Sequence, residues 1–305
     1  MKLLIVNFHY IRDKKYQSGI YPRTLSELSN QIDSISKHYK FISQENLISQ
    51  LLNKSISKNA KYCLLTFDDG LKEQMEAFKM LIKKGIPAVF FVNTKPIKNN
   101  TVADVHKLHH IRSKLCDEEI LKLIKPIHKV DNFNYPSNIN QLYRYDSTDA
   151  KKLKYLFNFG LEPEVKALVI KNIFNNYFDE TSLSRELYMN GDDIITLSNS
   201  DALGTHGHTH LPLASLNSKE LKKDIDDSIN FFRDIGANKI RGISYPYGGV
   251  HSVSQSVFDA CQMFDYGITM QRGINFFDSS MNKLALKRVD TNEAPGGKLN
   301  SEEYL

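Results

Sequence analysis

Three features of the sequence predict an α/β fold with a mainly parallel sheet. Short apolar runs alternate with segments of helical periodicity, the strand–helix–strand rhythm of parallel pairing. Several of the runs are nearly continuous in apolar residues, as in strands covered on both faces. Glycines stand where two helical patterns stop, at Gly85 and Gly236, the position after a helix that accepts a left-handed backbone.

The elements follow in order. Residues 3–8 read as a buried first strand. Residues 25–39 carry Leu25, Leu28, Ile32 and Ile35 at helical spacing, followed by a short strand at 40–43 and a helix at 45–52. Tyr62-Cys63-Leu64-Leu65-Thr66-Phe67 is a strand, 72–84 a helix closed by Gly85, and 87–93 another buried strand. From about 96 to 190 the rhythm breaks into polar, Lys- and Asn-rich sequence, with helices expected at 118–124 and 163–178 and a loop at 133–137. This stretch reads as a mainly helical insertion, of the kind that either shapes substrate access or forms a peripheral cap. The α/β pattern then returns: helix 192–198, strand 202–205, helix 218–235 with Ser218 and Glu220 near its start, strand 239–245, helix 254–263, strand 266–270 and a last strand at 284–289.

Composition excludes several classes. With 41% hydrophobic and 25% charged residues among 305, the chain is an ordinary globular protein with material for a large core. Forty Lys and Arg against 35 Asp and Glu leave a net charge of +5, too dilute for a nucleic-acid-binding face. Cys63, Cys116 and Cys261 are far apart and form no paired framework, which fits a reducing compartment. The opening apolar run stops at Asn7 and is followed by Arg12, Asp13, Lys14 and Lys15. A secretory signal needs about 7–15 apolar residues and a small-residue cleavage site. No run approaches the roughly 18 apolar residues of a membrane span. A cytoplasmic protein is the expectation.

Three segments carry chemistry, each directly after a predicted strand, where parallel α/β folds place their sites. Thr66-Phe67-Asp68-Asp69-Gly70 sets two carboxylates side by side. They repel unless a cation or proton intervenes, and a cation on one would leave the other free as a base. The alternative is a cap for the following helix. Gly204-Thr205-His206-Gly207-His208-Thr209-His210 gathers three of the ten histidines, and an i, i+4 pair can aim at one ion. The alternative is a solvated His-rich loop. Ser244-Tyr245-Pro246-Tyr247-Gly248-Gly249 makes a tight turn whose N–H groups can meet a developing oxyanion, or is a turn only. An Asp with two His supplies three ligands and leaves a position for water, so together the segments point to metal-assisted hydrolysis.

On these residues the sequence resembles the polysaccharide deacetylases of the NodB-homology type, carbohydrate esterase family 4. Thr66–Gly70 matches the family's TFDDG motif, His206–His210 its H-x-x-x-H motif, and Tyr245–Gly248 the YPYG form of its third motif. The likeness runs from Phe8-His9-Tyr10 to Leu284-Ala285-Leu286-Lys287-Arg288-Val289, in two blocks at about 1–95 and 190–292. It implies a distorted (β/α) barrel of about seven parallel strands and N-deacetylation of an acetamido sugar; it does not explain the 96–190 stretch, which is read from its own pattern as an insertion within one domain over 1–305. It implies Asp68 as general base, Asp69, His206 and His210 as metal ligands, and Tyr247 as the oxyanion donor through its backbone N–H. Tyr245, Pro246, Gly248 and His208 would face the substrate, with His208 between the ligands rather than on the ion. Zinc is the default ion for such a ligand set; Co, Ni, Mn or Fe could serve.

The sequence departs from the family pattern twice. Many relatives carry an Arg three residues before the motif-three Tyr, to orient the catalytic Asp, where this chain has Ser244. Arg241 and Arg288 are candidates to replace it, and Arg288 fits the last-strand pattern better. Relatives often supply a late histidine as general acid, and none lies in 284–292. His9, at a strand end, is the first choice, ahead of His208 and His251. His106, His109 and His110 lie on a basic segment at 105–114, expected as a solvated helical face rather than a second metal or phosphate site. His38 and His128 are expected at the surface.

The leading expectation is a metal-dependent N-deacetylase acting on a nucleotide- or lipid-linked amino-sugar precursor of a surface polysaccharide. Its rivals are a deformylase or other amide hydrolase on the same site, an amidohydrolase-type barrel suggested by His-x-His, and a degenerate member that only binds sugar. In amidohydrolases the His-x-His falls near the first strand, whereas here it is two-thirds along the chain.

Overall fold

The computed structural model of the chain describes residues 1–13, 18–53, 60–126, 133–142, 147–277 and 281–304. His128 lies outside them. The chain divides into two compact units: Met1–Asp13 with Pro22–Thr101 and Ser184–Leu305, and Lys14–Tyr21 with Val102–Leu183.

The first unit is a distorted (β/α) barrel. Its strands are β1 (Lys2–Phe8), β2 (Lys40–Phe41), β3 (Lys61–Phe67), β4 (Ala88–Val92), β5 (Leu203–Thr205), β6 (Gly242–Ser244), β7 (Tyr266–Ile268), β8 (Asn275–Phe276) and β9 (Val289–Asp290). Seven of them run parallel in the order β9-β1-β3-β4-β5-β6-β7. β2 pairs the first half of β3, and β8 pairs the start of β1 antiparallel. Leu286 bridges Ile268 of β7 before β9 pairs with β1, so one short stretch, 286–290, bonds to both ends of the sheet. The last strand expected at 284–289 is broken for this reason. It changes neighbours midway, and no run of residues keeps one ladder.

Side chains alternate across a strand, and the two faces are both apolar here. Leu3, Ile5, Leu64, Val89, Phe91, Tyr266, Ile268 and Leu286 form one buried cluster inside the barrel. Phe91 and Tyr266, on strands that do not touch, meet edge to face with centroids 6.4 Å apart. A Cβ on Gly204 would run into the Phe91 ring. The outward face, including Val6, Phe8, Phe67, Phe90 and Val92, packs under the helices. Two residues beyond the interior layer, at the carboxyl ends of the strands, the same inward row becomes polar. It holds Asn7, Asp68, Asn93, His206, Ser244 and Arg288, all buried.

Helices α1 (Leu25–Ser36), α2 (Gln44–Asn53), α3 (Gln74–Lys83) and α4 (Thr94–Asn99) follow the early strands. α1 opens on a capping box between Thr24 and Glu27 and buries Leu28, Ile32 and Ile35. The second unit contains α5 (Asp104–Lys114), α6 (Asp117–Ile124), α7 (Ile139–Leu142), α8 (Thr148–Tyr155) and α9 (Pro163–Asn175), and the unit boundary falls within α10 (Glu180–Leu187). Its core draws on Ile111, Ile120, Ile124, Leu153, Val169, Ile173 and Phe174. The solvated face expected for 105–114 is corrected here. His106 has no exposed surface, Lys107 pairs with Glu180 at 2.9 Å, and the His110 ring packs edge-on to Phe178. An imidazole is flat enough to pack as an aromatic, and a paired ammonium can be buried.

α11 (Gly191–Asn199), α12 (Ser218–Asp234) and α13 (Gln255–Ala260) complete the first unit. α12 begins at Ser218, the start expected from the sequence, and its cap is Asn217, reciprocated by Glu220. Its buried face is Leu221, Asp224, Ile225, Ser228, Phe231 and Phe232. No helix among the described residues is long and apolar enough to cross a membrane.

Candidate metal-dependent active site

β3 delivers Asp68 in register and then turns sharply. Asp69 has φ 81° and Gly70 φ 63°. The left-handed step at Asp69 costs strain for a residue with a Cβ. It also separates two adjacent carboxylates, so that they face different partners. Neither caps the following helix: α3 begins at Gln74, with Glu73 at its cap position.

Asp69 Oδ1 lies 3.1 Å from His210 Nε2 and 3.5 Å from His206 Nε2. Three ligands at about 2.0–2.1 Å in a tetrahedron would stand about 3.3 Å apart, so the observed spacing leaves room for one ion among these atoms. Among the described residues they form the one group of three or more His, Cys, Asp or Glu close enough to share an ion, and all three are buried.

The tautomer of His206 follows from its other nitrogen. Nδ1 lies 2.6 Å from the Ser244 carbonyl oxygen, which can only accept, so Nδ1 carries the proton and Nε2 offers its lone pair. Burial, against the pull of Asp68, pushes His206 down to about 4 and keeps it neutral. The donor set is therefore one carboxylate and imidazole nitrogens, suited to zinc or a neighbouring divalent transition ion.

Asp68 sits beside this group, Oδ2 4.0 Å from His206 Nε2. Arg288 Nη2 donates to Oδ2 at 2.5 Å, and Ser244 Oγ donates to the same oxygen at 3.2 Å. Arg288 is itself held by Asn7 Oδ1 at 3.1 Å. Burial alone would raise the Asp68 pKa, but the Arg288 charge and hydrogen bond, with His206 and His9, bring it below the ordinary carboxylate range. Oδ1 is buried and has no hydrogen-bond partner. The carboxylate, beside the three candidate ligands, is thus anchored at one oxygen and unpartnered at the other. Arg241, the other candidate for this partner, pairs with Asp265 instead.

His9 follows β1 in the register position beside Asp68, since Phe8 pairs with Phe67. Gln74 Nε2 clamps both backbones, donating to the carbonyls of His9 at 3.0 Å and Asp68 at 2.6 Å. His251 and His38 are exposed. Tyr247 has φ 62°, and its half-exposed ring lies 5.2 Å from that of His210. Pro246 and Gly248 are buried in the same turn. Gly248 N–H bonds to the Pro246 carbonyl, and Gly248 O accepts from Met270 N.

Two expected substrate contacts are placed differently. Tyr245 has no exposed surface, and its hydroxyl donates to the Leu284 carbonyl at 2.9 Å. Its side chain belongs to the core, because strand alternation turns it away from the inward row that holds Ser244. His208 Nδ1 is 2.8 Å from Thr94 Oγ1, away from the three ligating atoms. Gly207 has φ 74° and His210 φ 60°, so the segment is a loop in which the odd histidine points elsewhere.

Sequence reasoning missed Asn7, Gln74, Asn93 and Asp224. Asn7 interrupts an apolar strand, which is a legible sign. Asp224 lies on the apolar face of α12 at i+3 from Leu221, and a carboxylate on a buried stripe is legible too. Asn93 is fully buried with both amide atoms unpartnered, and nothing in its sequence context distinguishes it.

The profile of the family Polysaccharide deacetylase matches residues 55–132 and 183–264. No curated protein matches the sequence at a significant level. Among solved structures, the Streptococcus pyogenes deacetylase PplD in complex with acetate superposes with a TM-score of 0.57 at 15% identity, covering 99% of each chain. A de-N-acetylase from Aggregatibacter actinomycetemcomitans gives 0.58 at 13% identity, over 95% of this chain and 94% of that one. The BpsB deacetylase domain from Bordetella bronchiseptica gives 0.56 at 17% identity, over 95% of each. At such identities the structural likeness speaks for the fold, while the profile spans just over half of the chain, across both motif-bearing blocks. The chain therefore belongs to the polysaccharide deacetylase family.

Proposed function

We propose that this protein is a metal-dependent N-deacetylase of an acetamido sugar, with Asp69, His206 and His210 holding a divalent ion, zinc by default. The single observation that carries the reading is the convergence of those three buried side chains next to a carboxylate with one anchored and one unpartnered oxygen. When bound, the ion supplies Lewis acidity, lowering the pKa of a water and polarising an amide carbonyl.

The remaining roles belong to the chain's own groups. Asp68 accepts the water proton at Oδ1, while Arg288 and Ser244 fix Oδ2 and keep the carboxylate from turning. The Tyr247 N–H stabilises the oxyanion of the tetrahedral intermediate. His9 donates a proton to the departing nitrogen, because an amide anion is too poor a leaving group. The C–N bond breaks, giving acetate and a free amino sugar. The half-exposed Tyr247 ring beside His210 offers an apolar face to the sugar.

The substrate in this reading is a nucleotide- or lipid-linked precursor handled in the cytoplasm, and 96–190 is an insertion within one deacetylase domain. The acetate found with PplD and the de-N-acetylase activity named for the A. actinomycetemcomitans protein support the acyl group. The test is acetate release from a panel of N-acetylated sugar nucleotides, polyprenyl-linked sugars and oligosaccharides. Wild type releases acetate, and Asp68→Asn retains the metal but releases about 10²–10⁴-fold less. Equal release by the two proteins, or none from any substrate, refutes the reading.

A further inference from the structure

We infer that Asp224 of α12 is a positioning residue for the metal site, holding the 206–210 loop so that two histidines four residues apart address one ion. The inference rests on the metal-binding reading above.

Two ligands at i and i+4 are spaced by hydrogen bonds when they lie on a helix. Here they do not, since Gly207 and His210 both have positive φ, and the backbone groups between them must find partners elsewhere. The structure gives partners for the four amides of residues 206–209 and for two of the carbonyls. His206 N–H bonds to the Val92 carbonyl, and Gly207 N–H to Thr205 Oγ1 at 3.1 Å. The carbonyls of Gly207 and His208 accept from Thr94 and Lys95, the first N–H groups of α4. The two remaining amides, those of His208 and Thr209, both donate to the Asp224 carboxylate, at 2.8 Å to Oδ1 and 2.9 Å to Oδ2. Thr209 Oγ1 adds a third bond to Oδ2 at 2.5 Å.

Asp224 is 3% exposed, and neither carboxylate oxygen is left without a partner. It acts from one turn of α12, and Ser228, the next turn on, bonds to Thr205 Oγ1 at 2.6 Å. One helix face therefore sets both the entry of the loop and its crest. The fit is close. A Cβ on Gly207 would stand 3.0 Å from Asp224 Oδ1, and φ 74° there favours glycine. His208 also pins the loop, through Thr94. A loop with two left-handed residues has no intrinsic reason to keep this shape. Charge-assisted bonds to backbone N–H groups are among the stronger ones available to hold it.

The experiment measures zinc affinity of the metal-stripped full chain by competition with a chromogenic chelator, together with the melting temperature of the metal-free protein. Asp224→Asn keeps the side-chain size but supplies one acceptor oxygen instead of two. It is expected to bind zinc about 10–100-fold more weakly, the usual range for groups that orient metal ligands. Asp224→Ala is expected to be weaker still, giving a graded series with partial rescue by Asn. A purely structural role would lower the metal-free melting temperature and leave the zinc affinity of the folded protein unchanged, and that result overturns the inference. Should the Asp224 variants fail to fold, Thr209→Val removes the 2.5 Å bond to Asp224 together with a long 3.4 Å bond from Leu211 N–H, leaves both backbone bonds to the carboxylate in place, and is expected to weaken zinc measurably in a folded protein. Unchanged affinity in that variant overturns the inference equally. Failure of the wild type to bind stoichiometric zinc removes the metal reading, and with it this inference, and is distinct from equal binding by wild type and variant.

Discussion

Replacing Arg288 by Met separates stability from chemistry at the heart of the site. Arg288 and Asp68 are each 1% exposed and joined at 2.5 Å. Met keeps much of the buried volume and removes the charge. Asp68 would then keep only Ser244 Oγ at 3.2 Å on Oδ2, with Oδ1 already unpartnered. Removing one partner of a buried pair costs about 3–5 kcal/mol, because the other charge stays in the low dielectric. At about 2–4 °C per kcal/mol for a domain of 150–250 residues, the melting temperature falls by about 6–20 °C. Asp68→Asn combined with Arg288→Met leaves neither charge, so the double variant should recover a large part of that loss. The assay is thermal unfolding by circular dichroism on metal-stripped protein, with all four members of the cycle. A single variant within about 1 kcal/mol of wild type, or a double variant no more stable than the single, would refute the claim that a desolvated ion pair organises Asp68.

Three further outcomes are expected. His9→Gln should retain stoichiometric zinc while deacetylation falls by about 10²–10⁴-fold, the usual contribution of a positioned acid; an unchanged rate removes His9 from the reaction. Folded protein treated with a maleimide at pH 8 should take one label, at exposed Cys116, and three once denatured. Burial pushes the Cys261 thiol up to about 12 and that of Cys63 higher, so the reactive thiolate is scarce at both until pH rises far above the assay, and mass spectrometry counts the labels. Gly204→Ala should destabilise by about 1–3 kcal/mol through overpacking against the Phe91 ring inside the barrel. A melting temperature equal to that of wild type would show that the ring has room to move.

Local sequence carried much of this. The alternation of apolar runs and helical patterns determined the α/β class, and the strand ends carrying Asp68-Asp69, His206 to His210 and Ser244 to Gly248 marked most of the candidate site. Those signals are local because strand burial is written in consecutive residues and because a turn needs its own glycine or proline. The family likeness pointed to Arg288, but only packing could decide between it and Arg241. Barrel closure brings residue 288 alongside residues 7 and 68, whereas Arg241 finds Asp265 at the other end of its strand. Packing also decided which of the three alternating histidines faces away, through the left-handed backbone at Gly207 and His210. The buried histidine face of α5 and the Asp224 support beneath the loop likewise depend on what a helix face meets. Periodicity tells which residues of a helix are covered. It does not tell which distant backbone supplies the cover, because that contact is made by chain closure over long separations, and only the folded structure holds that information.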